Sequence, residues 1–169
     1  ECPIPTIAAI NGPAAGAGAN LALGADIVVA AKSASFLEAF ARIGLIPATI
    51  GPHVQAALGA RWTRRLFLTA ERFGAELATQ IGLVHESCDP EALDETVEAC
   101  VQNLLANSPE ALRAAKQLCA DLLYRPVDEE LLGDTSARIA HLRVSTEGQE
   151  GLRAFLEKRS PAWAAQGDA

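Results

Sequence analysis

Residues 12 to 26 read GPAAGAGANLALGAD, and they follow a run, Ile4-Pro5-Thr6-Ile7-Ala8-Ala9-Ile10-Asn11, with the character of a buried strand. A stretch so poor in side chains, entered from a strand and left by another apolar run at Ile27 to Ala31, constrains the fold more than any other feature. Near-continuous apolar strands of this kind are covered on both faces, which points to an α/β architecture. The order read here is strand, glycine turn, helix from Gly16 to Leu23, strand. A further short strand is predicted over Ser33 to Leu37, then an irregular stretch punctuated by Gly44, Pro47, Gly51 and Pro52.

Three uses for the glycines compete. A dinucleotide fingerprint needs G-x-G-x-x-G, but Leu21 follows Gly16-Ala17-Gly18-Ala19-Asn20 where the third glycine belongs. A P-loop needs Gly-Lys-Ser/Thr, and none is present. The third use is a strand-to-helix turn that lets a ligand approach bare backbone, where N–H groups of the first helical turn have no partner within the helix and favour negative charge. Against it stands a purely structural account, in which small residues permit close helix-on-sheet packing.

From about His53 the pattern turns helical. Val54 to Leu58, Thr63 to Leu68 and Phe73 to Ile81 carry helical spacing, the last closed by Gly82. Leu83-Val84 reads as one more strand. Longer helices are predicted over Glu91 to Ala106, Pro109 to Leu123, Val127 to Val144 and Thr146 to Lys158. Ser108 is read as an N-cap followed by proline at the first helical position. The division expected is a core over 1–88 and a helical region over 89–169.

Charge and cysteines narrow the function classes. A net charge of −7 argues against non-specific nucleic-acid binding, which needs clustered cations. Cys2, Cys88, Cys100 and Cys119 lie far apart, so neither a metal knuckle nor a disulfide framework is expected, and a reducing, cytoplasmic setting fits. Asp26, Lys32 and Glu38 interrupt the apolar first part, so no membrane span is predicted. Without any methionine, and opening on Glu1-Cys2-Pro3 directly before a strand, the sequence has the look of an internal start, with an upstream segment expected.

Several ordered motifs now carry a resemblance. Pro5-Thr6-Ile7-Ala8-Ala9-Ile10-Asn11-Gly12, Gly16-Ala17-Gly18, Ala22-Leu23-Gly24-Ala25-Asp26-Ile27, Phe36 through Pro47, Ala78 through Val84, and Leu152 through Arg159 resemble, in order and separation, the crotonase (enoyl-CoA hydratase/isomerase) superfamily. The resemblance implies a crotonase-like (ClpP/crotonase) ββα spiral followed by a C-terminal helical trimerisation region, assembled as a homo-oligomeric trimer or dimer of trimers. It implies an acyl-CoA thioester as substrate, with coenzyme A as part of the substrate and no separate cofactor or metal, and a lyase or isomerase activity. Backbone N–H groups would hold the thioester oxygen as the enolate develops. Ala17 matches one donor, and the second belongs to an upstream part of the fold.

The family's usual acids are absent. The two hydratase glutamates would fall at Asn20 and Phe40, and the isomerase acid at Ala48. Asn20 is therefore a candidate to hold a water or a polar acyl group. Glu38, two residues before Phe40 and on the same face if the chain is extended, is a candidate displaced general base or a polar residue at a subunit contact. His53 is a candidate acid or base, or simply a helix-start residue. Asp26 is expected to hold backbone or an arginine. Arg61, Arg64 and Arg65 read either as a phosphate contact or as a solvated face. Phe155 and Lys158 match tail positions that contact coenzyme A in relatives and would share one helical face.

Two branches of the family are echoed. Ile43 through Val54 with Phe67 through Phe73 resembles methylglutaconyl-CoA and carboxygeranoyl-CoA hydratases, whereas Phe36 through Leu45 resembles the phenylacetate-pathway isomerase-like branch. The acyl substrate stays open. The alternative function is a non-catalytic acyl-CoA-binding or assembly protein that kept the scaffold after losing those acids.

Overall fold

The computed structural model describes residues 2–164. These fall into two compact units, one of Thr6–Ala99 and one of residues 2–5 with 100–164.

In the first unit, β1 (Ile7–Ile10), β3 (Ile27–Ala31) and β6 (Glu86–Cys88) form a wholly parallel sheet in the order β1-β3-β6. Central β3 is buried through Val28, Val29, Ala30 and Ala31, as its unbroken apolar sequence requires. A second sheet has the order β2-β4-β5: β2 (Pro13–Ala15) lies parallel to β4 (Ser35–Leu37), which pairs antiparallel with β5 (Arg72–Gly74). Between the strands run α1 (Ala17–Leu23), a 3₁₀ turn at Ala39–Ile43, α2 (Gly51–Thr69) and α3 (Ala75–Gln80).

Several elements depart from sequence expectation. The first strand starts at Ile7 rather than Ile4, because Pro3 and Pro5 offer no N–H to a ladder and Thr6 is engaged with Asp26. The glycine-rich run contains β2, whose Pro-Ala-Ala sequence has no β preference of its own and becomes a strand by pairing with β4. Phe73, expected in a helix, is a strand residue opposite Phe36. The two rings stack at 5.6 Å between centroids, and the helix begins only at Ala75. Leu83 and Val84 form no strand: Gly82 turns left-handed (φ 82°), and the N–H groups of both residues donate to the Ala78 carbonyl at 2.9 and 3.1 Å, closing α3. Their side chains enter the core, and the strand forms three residues later. The two helical pieces expected after His53 join into α2, broken at Gly59 (φ 72°, ψ 163°).

His85 locks β6 to the sheet from both sides. Its Nδ1 accepts from the Val28 N–H at 3.0 Å while its own N–H donates to the Val28 carbonyl at 2.9 Å. Arg42 donates from Nη2 to the Ala70 carbonyl at 2.6 Å, tying the 3₁₀ turn to the end of α2, a terminus that favours a cation.

The second unit is helical, with α5 (Pro109–Leu122), α6 (Glu129–Val144) and α7 (Thr146–Glu157), while α4 (Leu93–Leu105) straddles the boundary. The N-termini of α5 and α7 cap each other. Ser108 accepts from the Ala111 N–H and donates to Glu147, and Ser145 accepts from the Gly148 N–H and donates to Glu110. The Ser108 hydroxyl and the Glu110 N–H together hold the Glu147 carboxyl below its ordinary pKa. Large apolar side chains remain exposed on α6 and α7, among them Leu132, Ile139, Val144, Phe155 and Leu156, and on the connection before α6, Tyr124 and Val127.

Candidate functional site

The site is built around Gly16, which joins β2 to α1. Its backbone (φ 50°, ψ −117°) lies in a region that residues bearing a Cβ avoid, and a Cβ placed there would touch the ring of Phe40 at 4.0 Å. Gly16→Ala is therefore expected to cost about 1–3 kcal/mol, read by urea denaturation. A loss below about 0.5 kcal/mol would show that the turn relaxes.

The parallel register of β2 with β4 continues past the strands: the Gly16 N–H donates to the Leu37 carbonyl at 2.9 Å. Ala17, the next residue on one side, is exposed and opens α1. Glu38, the next on the other, is the N-cap of the 3₁₀ turn. The first N–H groups of α1 have no carbonyl of their own helix to bond. Asn20 sits one turn along, its N–H donating to the Gly16 carbonyl at 3.1 Å.

Glu38 is the unusual member. It is only 5% exposed, and neither carboxyl oxygen has a hydrogen-bond partner among the described residues. Burial pushes its pKa up to about 7, because the charged form loses hydration without a compensating donor. The expectation that it shares an extended face with Phe40 does not hold: the chain turns into 3₁₀ geometry at Ala39, so the period-two argument ends at Glu38. Both residues nonetheless border the Gly16 turn. Asn20 Oδ1 is likewise shielded and unpartnered among the described residues.

The other candidates lie elsewhere. His53 is exposed on the first turn of α2, and Ala48 is exposed in the loop before it. Asp26 has the backbone partner expected of it, accepting at 2.7 Å from both the N–H and the hydroxyl of Thr6. Arg65 is engaged with Glu71 and lies 5.2 Å from the Trp62 ring centre. Arg64 instead lines a cavity of about 290 Å³ on α2 with Gly51, Gln55, Thr63 and Phe67, none of them residues of the Gly16 turn. In the helical unit Phe155 is 80% exposed. Lys158 does not continue its helical face, because it terminates α7 in left-handed conformation (φ 53°). Among the described residues, no group of three or more His, Cys, Asp or Glu side chains is placed to hold a metal ion, and no helix is long and apolar enough to cross a membrane.

What sequence reasoning did not find was the state of Glu38. Its position was visible, but burial without a partner among the described residues is a property of the packed chain that no local pattern marks.

Comparison with known proteins agrees with this architecture. The family model described as Enoyl-CoA hydratase/isomerase matches residues 1–166. A relative from Rhodobacter capsulatus, named "Probable enoyl-CoA hydratase", is 39% identical over 162 residues, covering 95% of this chain and 63% of the relative. The 1,2-epoxyphenylacetyl-CoA isomerase of Escherichia coli K12 is 37% identical over 163 residues, covering 95% and 62%. The crystal structure of an enoyl-CoA hydratase from Shewanella pealeana superposes with a TM-score of 0.91 at 44% identity, covering 95% of this chain and 60% of that one. The chain thus spans slightly less than two thirds of the relatives it matches. With its parallel core, glycine turn and helical second unit, the chain belongs to the enoyl-CoA hydratase/isomerase family and has the crotonase fold.

Proposed function

We propose that the protein acts on acyl-CoA thioesters, stabilising the thioester enolate against the Ala17 backbone N–H and moving the α-proton with Glu38. The observation that carries this reading is a buried carboxyl without a partner among the described residues, adjacent through the Gly16–Leu37 hydrogen bond to the start of α1. Taking a proton from carbon beside a thioester needs an acceptor near neutrality and a donor waiting where the oxygen gains charge. Glu38, with its pKa raised to about 7, supplies the first. A backbone donor does not depend on its side chain, so alanine at position 17 serves as well as glycine. Phe155 and Lys158 are assigned to the coenzyme A portion, one apolar and one cationic. The exposed apolar residues of α6 and α7 are assigned to contacts in a homo-oligomer.

The test is exchange of the α-protons of a short saturated acyl-CoA with D₂O, followed by mass spectrometry, on the full chain. Exchange is expected, its rate rising with pH to half-maximum near 7, because Glu38 is protonated and idle as a base below that value. The neutral residues at Asn20, Phe40 and Ala48 favour a second reading, an acyl-CoA-binding or assembly protein without turnover. Thioester binding without exchange at any pH would establish that reading instead.

A further inference from the structure

The break in α2 reverses the chain. On an unbroken helix Gly51 and Phe67 would stand about 24 Å apart, at 1.5 Å per residue. Here a Cβ placed on Gly51 would lie 3.8 Å from the Phe67 ring, so the second half of α2 doubles back beside the first. Gly59 makes the reversal: its backbone (φ 72°, ψ 163°) lies in a region open essentially to glycine alone. Thr63 holds the turn from the second arm, its hydroxyl donating to the Gly59 carbonyl at 2.9 Å.

Residues of both arms line the cleft of about 290 Å³, a volume at the small end of the range of ligand sites. Phe67 and Leu68 give it an apolar wall, while Gln55 from the first arm and Arg64 from the second supply polar groups. Neither Gln55 nor Arg64 has a hydrogen-bond or ionic partner among the described residues. Arg65 differs, being engaged by Glu71 and the Trp62 ring. The local charge is also unlike that of the rest of the chain. No Asp or Glu stands between Glu38 and Glu71, in a protein of 21 acidic and 14 basic residues, so α2 holds no carboxylate to occupy the Arg64 guanidinium.

We infer that this cleft binds a small organic carboxylate with an apolar body, at a site separate from the Gly16 turn and from the reaction proposed there. The guanidinium fork of Arg64 matches the two oxygens of a carboxylate, and the Gln55 amide adds an N–H donor from the other arm. The apolar body of the ligand leaves water along Phe67 and Leu68. A neutral amide of the same shape keeps that contact and loses the ion pair. An inorganic anion keeps the ion pair and loses the contact. One cation set beside an apolar wall therefore selects for both parts of the ligand together.

The test is calorimetric titration of the full chain with hexanoate at physiological ionic strength. Saturable binding with a millimolar or tighter Kd is expected, and hexanamide is expected to bind about tenfold more weakly. Arg64→Gln is expected to weaken hexanoate about tenfold. Leu68→Ser is expected to weaken it about threefold by shortening the apolar wall. Both side chains are exposed, so neither change removes a core contact. Arg61→Gln makes the same charge change on the same helix outside the cleft and is expected to stay within about twofold of wild type, because its charge is screened by salt. No saturable binding at millimolar hexanoate, equal binding of hexanamide, or an equal loss in Arg61→Gln and Arg64→Gln would overturn the inference. So would self-association of the chain that Arg64→Gln abolishes and hexanoate leaves unchanged, which would make the cleft a seat for a carboxylate side chain of a second copy.

Discussion

Glu38→Gln is expected to slow α-proton exchange about 1000-fold, within the 10²–10⁴ range typical of a lost general base, and at the same time to make the protein more stable at alkaline pH. The two effects share one cause. In the folded protein the Glu38 carboxyl has a pKa of about 7 against an ordinary 4.5, so the folded state binds its proton more tightly than the unfolded chain does. Stability from this group is therefore fully present below pH 4.5 and is lost as pH rises through 7. That rise corresponds to about 3 kcal/mol. Glutamine carries no charge at any pH and escapes the penalty. Urea denaturation at pH 8 should show the variant more stable by up to about 3 kcal/mol, with the difference vanishing near pH 4. A variant that exchanges at the wild-type rate would remove Glu38 from the chemistry. An unchanged gap between the two pH values would mean that the carboxyl is hydrated after all.

Phe36→Ala is expected to cost about 3–5 kcal/mol of the stability of the Thr6–Ala99 unit, the range for deleting a fully buried aromatic ring. Phe36 is 1% exposed, stacks on Phe73 across β4 and β5, and belongs to the strand that also pairs with β2. Removing it weakens the short sheet from the middle. Glu38 lies two residues further along the same chain, so loss of that anchor should also let the carboxyl reach water and return its pKa toward 4.5. The pH at half-maximal exchange in the surviving folded fraction would then fall below 7, which a purely global destabilisation would not produce. Phe36→Leu, which keeps most of the apolar volume, is expected to cost less than about 1.5 kcal/mol and to preserve the pH midpoint. A cost below about 1 kcal/mol for Phe36→Ala would show that the second sheet is held by other contacts.

Much of this fold is legible in the sequence. The strand Ile27–Ala31 was read at its observed bounds, and α1 within one residue, because an unbroken apolar run and a glycine-to-helix junction are local signals. The bounds read for α5 to α7 lie within two residues of those observed at each end, and Ser108 with Pro109 marks the start of α5 from the sequence alone. The ordered motifs were sufficient to indicate the family. The same reading missed β2 and β5 and misassigned Leu83-Val84, all short segments whose state depends on a distant partner.

The sequence by itself determined which residue types flank the glycine turn: asparagine, phenylalanine and alanine where relatives carry acids, and a glutamate two places away. Only the tertiary structure decided what that glutamate is. Pairing of Pro13–Ala15 with Ser35–Leu37 brings Glu38 beside the start of α1, and the packing removes water from its oxygens without supplying a donor among the described residues. A carboxyl's identity is written locally, but its ionisation depends on what surrounds it. For Glu38 it is burial in the folded chain that decides, by taking hydration from the charged form.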